Sequence, residues 1–323
     1  MESQPHKEHF GDIQTVYSAP QKRAVLLDTD IGDDIDDALA LALILQSPEI
    51  VLYGVSTVFG DTHARARLAA HLLQIFDHND IPVAAGVETP LQLRHRPSGV
   101  PQAAILNMHE TFPAISPLSG PELIIQTALG HQKQLTLICI GPLTNIATAL
   151  SSKPEISLAI RNIVMMGGSS GLPLAEWNVR SDAKAAQIVL RSGIPVTLIG
   201  FNVTMRTHLR PCDLEQLRRH ASPQTQLLSK LIAVWQRHRP RWQPKLPYLH
   251  DPLAVAALCQ PELFRFEEMM VRVVTDGPFT GYMVPRLMSG PKVQAAVDVQ
   301  VEATRSLIMQ RLLAPVSRSS LHP

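Results

Sequence analysis

Cysteine is scarce in this 323-residue chain, and so is excess charge of either sign. The cysteines, Cys139, Cys212 and Cys259, are too few and too far apart for a disulfide framework or a CxxC metal site. We expect each to be a buried thiol in a reducing compartment. The chain has 29 basic and 28 acidic residues, and the resulting net charge of +1 excludes a broad basic surface for nucleic acid. A cytoplasmic protein without a nucleic-acid partner is therefore predicted.

Long hydrophobic runs are also missing. The longest, residues 38–45, is far shorter than the ~20 apolar residues that span a bilayer, so no membrane partner is predicted. Residues 1–21 are polar and contain no apolar signal-peptide core, which predicts a flexible N-terminal extension. We expect one domain over residues 22–315, followed by a polar tail over 316–323.

Short apolar strands alternate with helical segments in the first two-thirds of the chain. The predicted strands are 23–29, 50–57, 81–85, 135–140, 163–166 and 195–200, and the predicted helices include 35–46, 62–76, 143–150 and 183–191. This alternation predicts a single-domain α/β fold with a mostly parallel central sheet flanked by helices. Ligands of such sheets bind at the C-terminal ends of the strands. After residue 211 the chain becomes mainly helical, and residues 268–301 suggest a small antiparallel addition.

The most informative segment is residues 28–37, which contain six aspartates where the first strand passes into a helix. Six neighbouring carboxylates repel one another and raise one another's pKa unless a cation neutralises them. Oxygen ligands favour a hard divalent cation, and Gly32 permits a tight turn toward the helix. The alternative is a solvated acidic loop with helix-capping aspartates, but capping explains only one or two of the six.

Two other metal-dependent chemistries use similar acidic motifs. Asp28-Thr-Asp30 superficially matches the motif of haloacid-dehalogenase-type phosphatases, yet Gly32 follows it and no convincing partner Lys and late Asp are found. Residues 33–37 match the DDxxD motif of prenyltransferases, which lies within a long helix of an all-helical protein. The preceding strand and glycine argue against that second class.

The strand-end motif resembles the DxDxGxDDA signature of the inosine–uridine nucleoside hydrolase family. Four later segments agree with the family in order: Gly141-Pro-Leu-Thr-Asn-Ile-Ala147, Met166-Gly-Gly168, Ala175-Glu-Trp-Asn178 and His250-Asp-Pro-Leu253. The resemblance implies a parallel-sheet α/β fold, bound Ca²⁺ and hydrolysis of ribonucleosides to ribose and free base. It also implies a homodimer or homotetramer.

The resemblance further implies a role for each matching residue. The Ca²⁺ ligands would be the carboxylates of Asp30, Asp37 and Asp251 and the backbone carbonyl of Ile140. Asp30 would also act as the general base for the attacking water, and His250 as the acid that protonates the leaving base. The ribose-binding candidates are Asp36, Asp61, Met166, Glu176 and Asn178.

The base pocket and the exact match to the signature are less well defined. His109 is a candidate for the base pocket, and Trp235, Trp242 and Tyr248 could stack on a nucleobase or simply pack in the core. The family spacing would place Ile35, which has no ligand atom in its side chain, at a metal position. Shifting the match to Asp36-Asp37-Ala38 restores a carboxylate, although Asp33 or Asp34 could serve instead.

Two alternative functions stay open at this point. Gly60-Asp61 stands where relatives often have Gly-Asn, and the loop before Glu176 is short, so a modified nucleoside or another N-ribosyl compound could be the substrate. A non-catalytic nucleoside-binding relative is the second alternative. The residues do not specify a base preference.

Overall fold

A computed structural model describes residues 22–92, 99–107, 109–171, 173–239 and 245–315. The predicted extension 1–21 and tail 316–323 lie outside the described residues, as does Trp242. The strands are β1 (Arg23–Thr29), β2 (Ile50–Thr57), β3 (Val83–Ala85), β4 (Leu135–Cys139), β5 (Ile160–Met166), β6 (Val196–Ile199), β7 (Phe264–Met270), β8 (Arg272–Val273), β9 (Met283–Val284) and β10 (Lys292–Val299).

Helices connect most of these strands. They are α1 (Asp36–Leu45), α2 (Thr62–Ile75), α3 (Gly120–His131), α4 (Thr144–Ser152), α5 (Trp177–Ser181), α6 (Ala183–Leu190), α7 (Phe201–Thr204), α8 (Pro211–Arg219), α9 (Pro223–His238), α10 (His250–Cys259) and α11 (Val301–Leu312). Short 3₁₀ turns lie at Pro101–Ile105, Pro154–Leu158 and Pro261–Leu263. No helix in the described ranges is long and apolar enough to cross a membrane.

One eight-stranded sheet forms the centre of the domain, in the order β3-β2-β1-β4-β5-β6-β10-β7. Neighbouring strands from β3 to β10 are parallel, and β7 pairs antiparallel with β10 at the edge. The prediction of a single α/β domain with a mostly parallel sheet is confirmed. In such a sheet the C-terminal ends of β1, β4, β5 and β6 lie along one edge.

The strands are apolar because helices cover both faces of the sheet. Along β1, Val25 and Leu27 contribute to one core cluster, and Leu26, which points to the opposite face, contributes to the other. The first cluster contains residues of α1, α2, α9, α10 and α11, and the second contains residues of α3, α4 and α6. Both layers hold the strand ends, and the loops that follow them, in fixed positions.

The C-terminal third contains the predicted antiparallel pairing, between β7 and β10 and between β8 and β9. Most of it is not an addition, however, because β10 joins the main sheet parallel to β6. Only β8 and β9 pair in a small sheet of their own. The expectation of three buried cysteines is wrong for Cys212, which is exposed on α8, whereas Cys139 is buried.

Candidate active site

A cavity of about 590 Å³ opens at the C-terminal ends of the central strands. Asp30 follows β1, Ile140 follows β4, Met166 ends β5 and Phe201 follows β6. The other lining residues are Asp33, Asp34, Asp36, Asp37, Pro101, Glu176, Trp177, Asn178, Trp235, His238, Arg239, His250 and Asp251. The cavity is therefore acidic on one side and aromatic on another.

A buried carboxylate cluster lies in this cavity. Asp36 and Asp37 begin α1 and Asp251 lies in the first turn of α10, and one carboxylate oxygen from each lies within 4.8 Å of the other two. Asp30 is also buried beside them. Burial is the main cause that raises the pKa of all four carboxyl groups above the usual range. Repulsion by nearby carboxylates raises it further, from Asp33 and Glu176 in the case of Asp30 and mainly from other aspartates of the cluster and Asp34 in the other three.

The cluster fits a hard divalent cation. Its donors are all oxygens in a buried site, a set that suits Ca²⁺ or Mg²⁺ rather than metals that prefer thiolate or imidazole. The Thr29 hydroxyl donates to Asp37 Oδ1 over 2.5 Å, and the Asp251 N–H donates to Asp36 Oδ2 over 3.4 Å. These two bonds hold the carboxylates in place but carry no positive charge. A cation would supply that charge.

Asp33 and Asp34 point to different partners from the clustered acids. Asp33 Oδ2 lies 2.9 Å from Arg65 Nη2, and Asp34 Oδ2 lies 3.2 Å from Arg239 Nη1. The acids brought beside Asp251 are thus Asp36 and Asp37. This matches the shifted alignment of the signature, in which the turn after Asp30 is two residues longer.

The side chain of Arg65, in α2, stabilises that longer turn. Its side chain is fully buried and donates to the carbonyls of Phe59, Asp30 and Ile31 as well as to Asp33. Sequence reasoning missed this residue. A signal was present, because Arg65 falls on the helix face of Leu68, Ala69 and Leu72, where an unpaired charge would be costly.

Gly141, just after β4, allows the chain to pass close to Asp30. A Cβ atom added there would lie 2.9 Å from both the backbone nitrogen and Oδ1 of Asp30, and 2.9 Å from Val58 Cγ1. Side-chain carbons do not come this close to other atoms. The glycine in the Gly141-Pro-Leu-Thr segment is therefore required by the position of the carboxylate.

Glu176 and Asn178 lie on the other side of the cluster, at the start of α5. Glu176 accepts N–H bonds from Gly168 and Asn178, each 2.9 Å long, and from Val179 at 3.2 Å. These bonds fix the carboxylate, while burial raises its pKa. The Asn178 amide donates to the Ile140 carbonyl over 2.8 Å and to the Met166 carbonyl over 3.2 Å. It thereby joins the ends of β4 and β5.

His250 belongs to the aromatic part of the cavity. Its ring stacks between Phe201, at 5.6 Å, and Tyr248, at 5.4 Å between centroids. Nδ1 lies 2.7 Å from the Thr204 hydroxyl. Burial lowers the pKa of His250 to about 4, so the ring is neutral at pH 7. Trp235 also lines the cavity, whereas Tyr248 does not and stacks on His250 instead.

Two predicted site residues lie away from the cavity. Asp61 is exposed and caps α2, with its carboxylate accepting the Ala64 N–H over 2.9 Å. His109 is exposed in a loop, where its N–H donates to the Asn107 side chain. Neither residue lines the cavity, so the structure does not bring them to the other candidates. The remaining predicted residues are brought together: Asp30, Asp36, Asp37, Ile140, Met166, Glu176, Asn178, His250 and Asp251.

Similarity to known proteins agrees with this arrangement. The family model of the inosine-uridine preferring nucleoside hydrolases matches residues 25–306. The chain is 33% identical to the pyrimidine-specific ribonucleoside hydrolase RihA of Klebsiella pneumoniae, over 89% of this chain and 97% of that protein. Among solved structures, the plant nucleoside hydrolase PpNRh1 superposes with a TM-score of 0.81 at 29% identity, covering 92% of this chain and all of that one.

A purine-preferring ribonucleoside hydrolase from Gardnerella vaginalis also superposes, with a TM-score of 0.80 at 28% identity over 90% of this chain and 98% of its own. Relatives that differ in base preference thus share this fold. The family match extends from β1 to α11 and includes every element that lines the cavity. The chain belongs to the inosine-uridine preferring nucleoside hydrolase family.

Proposed function

We propose that this nucleoside hydrolase splits ribonucleosides in the acidic cavity with the help of a bound calcium ion. Asp30, Asp37, Asp251 and the Ile140 carbonyl would hold the ion, and Asp36 lies close enough to share in it. The supporting observation is the approach of the Asp36, Asp37 and Asp251 oxygens to within 4.8 Å of one another. Bound Ca²⁺ would neutralise these carboxylates and make a water molecule beside them more acidic.

Asp30 is the proposed general base. Its carboxylate follows β1 in the same cavity, beside the position proposed for the ion, where an ionised carboxylate could take a proton from the attacking water. As the base departs, positive charge develops on the ribose ring. The buried carboxylates of Asp36 and Glu176 would stabilise that charge in a medium of low dielectric constant.

Glu176 and Asn178 are the proposed ribose-binding pair, with Asp36 and Met166 beside them. Glu176 is held by three backbone N–H groups, yet two carboxylate oxygens offer about four acceptor positions, which leaves room for a ribose hydroxyl. A 2′-deoxyribonucleoside would leave one of these buried polar groups without a partner. We therefore expect ribonucleosides to be preferred.

His250 is the proposed proton donor to the leaving base. The proton could come only from the imidazolium form of the ring, which is a minor species at pH 7 because burial lowers the pKa of His250 to about 4, and in that form Nδ1–H would donate to the Thr204 hydroxyl. The stacked Phe201 and Tyr248 rings hold the imidazole plane in position. We also propose a cytoplasmic enzyme, since its three cysteines are unpaired, and a homodimer or homotetramer by family resemblance.

Ribose release from inosine, uridine and adenosine tests the proposal. Purified protein with added Ca²⁺ should release ribose from at least one of them, and metal analysis should find close to one calcium per chain. Asp37→Asn should lower kcat/KM by at least ~10³-fold and weaken Ca²⁺ binding, while Asp61→Asn, outside the cavity, serves as the matched control. Turnover of no ribonucleoside, or full activity of Asp37→Asn, would contradict the proposal.

A further inference from the structure

A buried side-chain amide joins the strands that lead into the acidic cavity. Asn145, in the first turn of α4, is fully buried and does not line the cavity itself. Its Nδ2 donates to Asp28 Oδ1 over 2.8 Å and to the Thr57 carbonyl over 2.9 Å, and its Oδ1 accepts the Val87 N–H over 2.8 Å. This one side chain therefore connects α4 to β1, to the end of β2 and to the loop that follows β3.

Asp28, the partner of this amide, is a fully buried carboxyl group in an apolar layer. By strand alternation it lies on the same face of β1 as Leu26, whose apolar cluster also contains Cys139. Its Oδ1 accepts from Asn145 and from the Ser56 hydroxyl, whereas its Oδ2 has no hydrogen-bond partner among the described residues. An apolar pair of the same shape would avoid this unpaired oxygen at little or no cost to the fold. The polar pair therefore points to a role in the site.

The pair connects two residues of the proposed ion site. Asp30 comes two residues after Asp28, and Ile140 lies in the segment that leads into α4. The Ile140 N–H also donates to the Asp28 carbonyl over 2.9 Å. Asp28 is thus bonded to this segment through both its backbone and its side chain. These two bonds restrict the separation of the Asp30 carboxylate from the Ile140 carbonyl.

Two glycines pack directly against the amide. A Cβ atom added at Gly86 would overlap both Oδ1 and Nδ2 of Asn145, and one added at Gly120 would lie 3.0 Å from Nδ2. The backbone encloses the amide on these two sides and restricts its movement, which makes the pair a rigid connection.

We propose that Asn145 and Asp28 are positioning residues that hold Asp30 and the Ile140 carbonyl at the spacing required by the cation and the attacking water. Neither side chain touches the ribonucleoside, and both act through the strand ends. This inference rests on the proposed function of the cavity.

Asn145→Leu keeps the approximate size of the side chain and removes its three hydrogen bonds. We expect kcat to fall ~10–100-fold for the ribonucleoside that the unaltered enzyme cleaves fastest, while KM at saturating Ca²⁺ stays within ~3-fold. Calcium affinity should fall at least ~10-fold, measured by calorimetric titration of the chelator-treated protein with Ca²⁺ alone.

Thr136→Val is the matched control for loss of stability. It removes a hydrogen bond from the buried Thr136 hydroxyl to the Asn162 side chain, 2.7 Å long, near the opposite end of β4. The melting temperature should fall, while kcat and calcium affinity stay within ~2-fold. The control separates the loss of a buried hydrogen bond from the loss of position at the site.

An exchange of the two side chains tests the pair directly. Asn145→Asp places carboxylate oxygens against Asp28 and the Thr57 carbonyl, so it should lower calcium affinity and kcat more than Asn145→Leu does. Adding Asp28→Asn restores a donor and an acceptor between the two positions. The double variant should recover both quantities by at least ~10-fold over Asn145→Asp.

The inference is overturned if Asn145→Leu lowers the melting temperature but leaves kcat and calcium affinity within ~2-fold, or if the exchange recovers neither. Should these variants not fold, Ser56→Ala decides, because it removes only the second donor to Asp28. Calcium affinity should then fall at least ~3-fold, and an unchanged affinity would overturn the inference. If the unaltered enzyme neither binds calcium nor releases ribose, the proposed function itself fails.

Discussion

Replacement of Arg65 by methionine is the strongest single test of how the acidic turn is held. The substitution keeps a long side chain within α2 and removes a guanidinium that donates to three backbone carbonyls and to Asp33. Each buried acceptor left without a donor costs ~1–3 kcal/mol. Partial rehydration offsets part of this cost, and we expect the free energy of unfolding to fall by about 3–5 kcal/mol.

The same change should weaken the ion site. Two of the lost bonds end on the carbonyls of Asp30 and Ile31, and the positive charge of Arg65 also counteracts the raised pKa of Asp30. Without Arg65, the Asp30 carboxylate loses both its fixed position and a neighbouring cation. Calcium affinity of the folded variant, measured by calorimetric titration, should fall at least ~10-fold.

Thermal unfolding followed by circular dichroism measures the stability change, and Arg67→Met is the control. Arg67 lies two residues further along α2 but bonds at the surface to the carbonyls of Asn107 and Glu110. Its replacement should cost less than ~1 kcal/mol and leave calcium affinity unchanged. The reasoning is refuted if the Arg65→Met protein has the same melting temperature as the unaltered enzyme, or if it binds calcium with the same affinity.

Three further predictions concern other parts of the molecule. Gly141→Ala should displace Asp30 and lower kcat ~10–100-fold, because the added Cβ meets the backbone nitrogen and Oδ1 of Asp30 at 2.9 Å. The same overlap should destabilise the fold by about 1–3 kcal/mol, so kinetics and a melting curve test the two effects together. Glu49→Gln should lower the melting temperature at pH 7, because the hydrogen bonds from Arg311 hold the pKa of Glu49 below its usual 4.5. The ionised Glu49 therefore stabilises the fold fully above pH 4.5, and this stabilisation is lost as the pH falls through the lower pKa of the folded state. The melting temperatures of the two proteins should accordingly converge in acid. Calcium at 100 times its Kd should stabilise the protein by about 2.7 kcal/mol over the chelator-treated form, measured as a rise in melting temperature, and no rise would argue against an ion site.

Local patterns in the sequence predict much of this fold. The bounds of β1 and β2 are as predicted, because a strand buried on both faces is a continuous apolar run between polar residues. The position of β10 could not be predicted, because its pairing with β6 and β7 depends on contacts across long stretches of chain. Helix α3 was also missed, although its capping box of Ser119 and Glu122 is visible in the sequence.

Some of the site residues could likewise be predicted from the sequence, and others could not. Asp36, Asp37 and Asp251 could be chosen from motif order, and packing of α1 against α10 brings them together. Asp61 was misleading because a residue that follows a strand can cap the next helix instead of turning into the cavity. Arg239 was missed because Asp34, its partner, is 205 residues away in the chain.

The Asn178 amide gives the proposed ion and sugar sites a shared component. One –NH₂ group donates to the carbonyl of Ile140, which follows β4 and is proposed to face calcium, and to the carbonyl of Met166, which ends β5. A ribose hydroxyl that hydrogen-bonds to the Asn178 side chain would therefore change the position and polarisation of the Ile140 carbonyl. Thermodynamic linkage is reciprocal: if bound calcium changes the affinity for the nucleoside by some factor, bound nucleoside changes the affinity for calcium by the same factor.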